Sequence, residues 1–325
     1  MSARSLLSQV ESFGRRHHSG GTEFDHWTGT RPVSEVEGVP VMGPAFYHSL
    51  ETFRSMHLAS YAAVCAQLPS ADLYPVRWFD GRAVVMVAAF RYREISLSHG
   101  DGTPGLMMPY GEVMVAALVT REPSRPGLPL LAPNRSGVGA FVLDLPVTTA
   151  EACALGRQLF GLPKFFADMD FRELSAMRQV TVSEHGQEVL TLTVRPWGPV
   201  RADRAPAVFY SVLDGQLQET TAPFRGHRQY VPGPRSGELS LGSHPVADRL
   251  RTLEISANAL VVMNYVDARM ILPLGNPVGP ARDYQGYTGE DRLRGRLTVQ
   301  YPGTDPLDQY APATGVLRRA AERSQ

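Results

Sequence analysis

From Ala83 to Phe90 every position is apolar (Ala-Val-Val-Met-Val-Ala-Ala-Phe), a run of strand length with no polar face. Glu112 to Val119 and Gly139 to Leu145 read as further strands, separated by a Pro-rich loop from Glu122 to Pro133. Upstream, Phe53, Met56, Tyr61, Val64 and Leu68 fall near helical spacing, which predicts a helix from Thr52 to Leu68 stopped by Pro69. Thr148 and Glu151 form a capping box, so a second helix is expected from Thr148 to about Phe160, ended by Gly161 and kept from resuming by Pro163. Strict alternation follows, with Phe165, Ala167, Met169 and Phe171 on one face and Lys164, Phe166, Asp168 and Asp170 on the other. Lys164 therefore opens a strand directly after a helix–Gly–Pro turn.

Val180–Val182, Val189–Val194 and Val208–Leu213 read as meander strands, and Pro223–Gly237 as a loop. Ser243-His244-Pro245 should cap a short helix through Leu250, with a strand over Leu253–Met263. Beyond Pro273 the pattern is loop-like, with a last helix at Leu317–Arg323. Residues 1–30 are polar around Arg15-Arg16-His17-His18-Ser19-Gly20-Gly21 and read as a flexible arm. No internal repeat or clean linker divides the chain. The pattern predicts one β-rich domain with a few packed helices.

Composition narrows the function classes. The 325 residues carry zero formal net charge, which gives no electrostatic case for nucleic acid or an acidic membrane. No apolar run reaches the roughly 20 residues of a membrane span, and the N-terminus lacks a signal-peptide pattern, so a cytoplasmic protein is expected. Cys65 and Cys153 sit in apolar stretches and read as buried free thiols. The nine histidines show no metal-ligand spacing, and no metal or cofactor is expected. Among them His57 is the best placed to face a cavity, though a surface or core role is favoured. No nucleophile elbow, Walker loop or His-Glu-x-x-His motif occurs.

One compositional fact changes the picture. The chain has a single lysine, Lys164, against thirty-one arginines. Arginine serves wherever only charge is needed, but a guanidinium does not lose its proton to become a nucleophile. A Schiff-base lysine needs a pKa some 3–4 units below the usual ~10.4, reached by burial or by a neighbouring cation. Phe160, Leu162, Pro163, Phe165 and Phe166 give it an apolar sequence neighbourhood. Arg157 either supplies the cation or serves the carbonyls at its helix C-terminus.

The segment Gly156-Arg157-Gln158-Leu159-x-x-x-Pro163-Lys164 resembles the Gly-Arg-Glu-Leu-x-x-x-Pro-Lys motif of the acetoacetate decarboxylase superfamily, and Tyr110-Gly111-Glu112 resembles its Tyr-x-Glu. Weaker similarity runs from about Gly43 to Leu272, about three-quarters of the chain. The resemblance implies an antiparallel β-rich α+β domain over 31–275, its sheets around a cone-like β-barrel enclosing the lysine, a C-terminal extension at 276–325, homo-oligomeric assembly, and a small-molecule oxo-acid or ketone substrate. It implies Lys164 as the Schiff-base nucleophile, as in acetoacetate decarboxylase itself, and Glu112 as the carboxylate that orients substrate or moves protons. Arg157 or Arg54 would hold a substrate carboxylate, and Tyr110 and Phe165 would contact substrate.

The departures are specific. Phe165 stands where true acetoacetate decarboxylases carry a second lysine, and the family's arginine and second glutamate fall near Leu50 and Met86. These departures weaken decarboxylation of acetoacetate itself and argue for a larger or less charged substrate, while the family resemblance keeps decarboxylation of an acetoacetate-like β-keto acid the first reading. Aldol condensation with dehydration, or cyclisation, through the same iminium and enamine is the second. A ligand-binding protein with a dead site is the alternative of another class.

Overall fold

The computed structural model describes residues 31–36, 39–99, 104–131, 133, 136–174 and 176–289. The expected arm at residues 1–30 and the expected helix at 317–323 lie outside the described residues. In chain order the elements are β1 (Arg31–Val36), β2 (Val39–Ala59), α1 (Tyr61–Gln67), β3 (Tyr74–Pro75), β4 (Ala83–His99), β5 (Pro104–Met107), β6 (Tyr110–Thr120), α2 (Leu128–Leu131), β7 (Gly139–Val147), α3 (Ala150–Phe160) and β8 (Lys164–Phe166). Then come β9 (Asp168–Leu174), β10 (Met177–Glu184), β11 (Gln187–Val194), β12 (Arg201–Asp203), β13 (Ala207–Leu213), β14 (Gln216–Ala222), β15 (Phe224–Pro232), β16 (Gly237–Leu241), α4 (Pro245–Thr252), β17 (Val261–Leu272) and β18 (Asn276–Pro280).

The larger sheet runs β12-β15-β17-β2-β4-β6-β7-β13-β14-β18, with β1, β3, β5 and β8 attached to β2, β6, β4 and β7. The smaller sheet runs β16-β11-β10-β9. Pairing is antiparallel except where β7 meets β13 and β8. Parallel neighbours need a crossover, and α3 is the crossover from β7 to β8. β14 and β15 are one run broken at Pro223, which has no N–H to give to a ladder. The first part pairs with β13 and the second with β17, so the large sheet is drawn round an apolar interior.

That curl explains the unbroken apolar strands. Val84, Met86, Ala88 and Phe90 of β4 face the interior, while Val85, Val87 and Ala89 face the smaller sheet. Met114, Ala116 and Leu118 of β6 point inward, and Val113, Val115 and Ala117 outward. Val180, Val182, Leu190 and Leu192 of the smaller sheet complete the outer layer, closed at one side by Leu250 and Leu253. Fully burying such a side chain stabilises the fold by about 1.5–3 kcal/mol, so two complementary layers of them account for why neither face of these strands is polar.

Five local expectations are corrected, one of them the loop beyond Pro273, where Asn276–Pro280 form β18 against β14. Residues 52–59 belong to β2, and only Tyr61–Gln67 is helical. The helical spacing misled because β2 lies between β17 and β4 with polar Thr52, Ser55 and His57 buried, which erases the alternation of a half-exposed strand. Residues 224–232 form β15 rather than a loop. Its turn-like composition reflects half-exposed residues and Gly226, where an added Cβ would lie 2.8 Å from the Asp267 carbonyl oxygen. The strand expected from Leu253 begins at Val261, because Leu253 caps α4 and Glu254 turns at φ 54°. Finally, Thr149 rather than Thr148 caps α3, its hydroxyl accepting from the Ala152 N–H, while Thr148 accepts from the Gly111 N–H. The expected strand starts at β4, β7 and β8, and the His244 cap of α4, stand, while β6 begins at Tyr110, two residues before the expected Glu112. Cys65 and Cys153 are both free thiols.

His57 is a core group. Its Nδ1 lies 2.7 Å from the Ser256 carbonyl oxygen and its Nε2 2.8 Å from the Ser55 hydroxyl. A neutral ring donating from Nδ1 and accepting at Nε2 satisfies both contacts. Burial lowers its pKa from 6.5 to about 4. Below pH 6.5 the unfolded chain then binds the extra proton first, so stability is full above pH 6.5 and falls as the pH drops toward 4. The full loss is about 3 kcal/mol. Urea titrations at a series of pH values in this window should show it, and His57→Gln should flatten that part of the pH slope.

Candidate active site

Glu112 and Lys164 come from opposite edges of β7. Glu112 on β6 pairs with Val147, and Lys164 on β8 pairs with Leu145. Both side chains project to the interior and meet over β7, with Lys164 Nζ 2.7 Å from Glu112 Oε2. Lys164 is 4% exposed and Glu112 7%. Two opposite charges in a water-poor interior stabilise each other only in close contact, and removal of either leaves the other uncompensated.

The turn before the lysine sets its direction. Gly161 ends α3 at φ 59°, and an added Cβ would lie 2.2 Å from the Val212 carbonyl oxygen, so conformation and space both demand glycine. Pro163 follows, and the Lys164 N–H donates to the Leu162 carbonyl at 2.8 Å. The lysine side chain then lies across α3 at Gly156, where an added Cβ would sit 2.4 Å from Cδ and 2.5 Å from Cε. The glycine of the sequence motif is thus the notch through which the amine reaches the interior.

Phenols surround the pair. Tyr92 donates to Glu112 Oε1 at 2.9 Å, and the Tyr47 and Tyr110 hydroxyls are 3.1 Å apart. Lys164 Nζ lies 5.5 Å from the centre of the Tyr110 ring. Burial first, then the Glu112 charge, pushes the Tyr92 pKa well up and that of Tyr47 likewise. Tyr92 therefore stays a proton donor that fixes the carboxylate. Around the pair is an apolar cavity of about 510 Å³, counting space open to solvent, lined by Phe90, Met114, Val142, Leu145, Phe209 and Met270 among others.

Not every expected residue reaches this cavity. Arg157 lies on α3 with Nε donating to the Lys164 carbonyl and Nη2 to the Thr288 carbonyl at 2.9 Å, so it grips the lysine's main chain. Phe165 is fully buried on the opposite face of β8, stacked near His244 (6.2 Å) and edge-on to Tyr287 (5.0 Å), because neighbours along a strand point apart. Arg54 faces the curl of the sheet but sits over the rings of Tyr265, Phe224 and Phe90 at 4.9, 5.0 and 5.6 Å. Its Nε is buried without a hydrogen-bond partner, and Phe90 lines the cavity while Arg54 does not, although the Arg54 charge is felt at Tyr92.

A segment from later in the chain backs the lysine turn. Tyr284 donates to the Leu143 carbonyl at 3.0 Å and Tyr287 to Glu184 Oε2 at 2.6 Å, where His244 Nε2 also binds at 2.8 Å. Between the two tyrosines, Gly286 (φ 61°) lies so close that an added Cβ would be 2.8 Å from that of Pro163. Tyr47, Tyr92 and these backing residues were not singled out by the sequence. Only the parity of β4, which puts Tyr92 on the same face as Phe90 and Ala88, carried a trace of them.

Among the described residues no group of three or more His, Cys, Asp or Glu is placed to hold a metal, and no helix is long and apolar enough to cross a membrane. Residues 30–278 match the family model for acetoacetate decarboxylase. The fold is similar to that of acetoacetate decarboxylase from Legionella pneumophila, with TM-score 0.53 and 17% identity over 82% of this chain and 95% of that one. A second acetoacetate decarboxylase structure gives TM-score 0.52 and 17% identity over 73% and 90%. The enduracididine biosynthesis enzyme MppR, complexed with the condensation product of pyruvate and imidazole 4-carboxaldehyde, gives 0.51 and 14% over 77% and 98%. No curated protein matches the chain.

The notch at Gly156 is directly testable. Gly156→Ala should push the Lys164 side chain from its path and cost about 1–3 kcal/mol in chemical denaturation, as overpacking does. In the refolded variant Lys164 should label more slowly with a carbonyl reagent under reduction, read by intact mass.

Proposed function

The chain belongs to the acetoacetate decarboxylase family, and from that premise we propose that it is a Schiff-base-forming lyase in which Lys164 attacks the ketone of an oxo acid. The observation that carries the reading is the buried contact of 2.7 Å between Lys164 Nζ and Glu112 Oε2 inside an apolar cavity. Glu112 takes a proton from the amine, and the freed lone pair adds to the carbonyl carbon. The carbinolamine oxygen leaves as water, with Glu112 returning the proton, and the protonated imine results. In a β-keto acid the bond to the carboxylate carbon then breaks. Its electron pair moves to the α-carbon and on to nitrogen as an enamine, and carbon dioxide departs. Protonation at carbon and hydrolysis of the imine release the ketone and restore the amine.

Tyr92 holds the carboxylate through its 2.9 Å hydrogen bond, so that Glu112 keeps one oxygen turned to the nitrogen. A second reading uses the same iminium. Glu112 removes a proton from the α-carbon and the enamine adds to an aldehyde, followed by loss of water. It is favoured by Phe165 standing in place of the family's second lysine and by an absence of other charges among the cavity-lining residues.

Borohydride reduction in the presence of oxo acids tests both. The protein should gain the mass of the reduced adduct, and cleavage at its lone lysine should be blocked. Lys164→Arg should give no adduct, and Glu112→Gln should slow adduct formation by about 10²–10⁴-fold. An adduct lacking the carboxylate marks decarboxylation, and an intact one marks the condensation route. Normal cleavage with every carbonyl compound would sink the reading in favour of a binding protein with a dead site.

A further inference from the structure

The amine of Lys164 stands where two separate spaces meet. The larger is the cavity inside the curl of the sheet. The smaller, about 300 Å³ on the same measure, lies under α3 and is lined by Ala45, Met107, Ala152, Leu155 and Leu159. Tyr47, Phe160, Lys164 and Leu272 border both. Trigonal geometry at an imine carbon places its two substituents about 120° apart, in the plane of the C=N bond. With the lysine stem pinned at Gly156 and the nitrogen held at Glu112, those substituents have two directions available, one into each space.

Charge decides what can enter. Among the described residues, the only ionised groups bordering either space are Lys164 and Glu112, which neutralise each other. Arg54 lines neither space and lies over the Tyr265, Phe224 and Phe90 rings, and Arg157 is bound to main-chain carbonyls behind the turn. Among the described residues lining the larger space, Ser211 and Thr220 are the only side-chain hydroxyls apart from the tyrosines, and Ser211 already donates to the Phe160 carbonyl at 2.6 Å. A second carboxylate carried deep into the larger space would meet no lining cation other than Lys164, which Glu112 already neutralises, and would lose its water without replacement.

We propose that the substrate is an oxo acid whose carbonyl carries an extended, uncharged apolar tail, the tail occupying the larger space and the acid-bearing or short arm the smaller. The inference rests on the Schiff-base reading of Lys164 and adds the class of substrate. An arm placed under α3 carries its carboxylate into apolar surroundings, where conversion to neutral carbon dioxide relieves the lost hydration. The same surroundings favour each methylene added to the tail by about fourfold in apparent affinity while it remains within the cavity.

The unmodified protein decides the matter. β-Oxo acids with methyl, propyl and pentyl tails, and a pentyl analogue ending in a second carboxylate, are trapped with borohydride at concentrations below saturation. The expected result is a rise of about fourfold per methylene, more than tenfold from methyl to propyl, with the terminal carboxylate cutting trapping at least a hundredfold below the pentyl compound. Val142→Phe, which fills the larger space, should flatten the gradient across the three tails; its folding is checked by circular dichroism. If short and long tails trap alike, or the second carboxylate costs nothing, the two-space assignment is overturned and the Schiff-base reading stands. If no compound is trapped on Lys164, both fall together.

Discussion

One buried ion pair governs the arrangement of this protein. An ammonium and a carboxylate held inside an apolar sheet are tolerable only at contact distance, because the interior offers little water to screen either alone. Lys164 and Glu112 meet that demand at 2.7 Å, and the local structure can be read as the means of holding them there. β7 sets the two flanking strands in register, the Gly161–Pro163 turn aims the lysine, Gly156 clears its path, and Tyr92 fixes the carboxylate. The surrounding phenols stay protonated, so they add hydrogen bonds without adding charge.

How much of this was legible in the sequence depended on the range of the interaction. Lys164 and Glu112 stood out because a lone lysine and two short motifs are local facts. The cap, the helix and the turn that deliver Lys164 were legible to within one residue, for they rest on neighbouring side chains and main-chain geometry. β2 was not, since its burial on both faces comes from strands far away in sequence, and buried Thr52, Ser55 and His57 gave it no clean alternation. With β2 misread, Tyr47 had no place in the site. Tyr92 meets Glu112 only through the pairing of Tyr92 with Tyr110 and Phe90 with Glu112, which no local pattern announces.

Residues expected to touch a substrate turned out to divide into layers around it. Arg157 acts on the main chain of the lysine, one step removed from the cavity. Phe165 fills the layer between the two sheets, locking the strand from behind. A motif in a sequence mixes such groups without distinction, because the residues that shape a site and those that line it are contiguous along the chain and separate only in space.

The backing segment gives the order of synthesis a meaning. The turn that carries Lys164 emerges from the ribosome long before Tyr284, Gly286, Tyr287 and Thr288, which close against its rear. Until they do, the carbonyls of Leu143 and Lys164 lack part of their bonding, and the turn has no wall behind Pro163. A nascent chain thus carries its lone lysine in an unfinished setting, and that side chain gains its final surroundings only when nearly all of the described fold has been made.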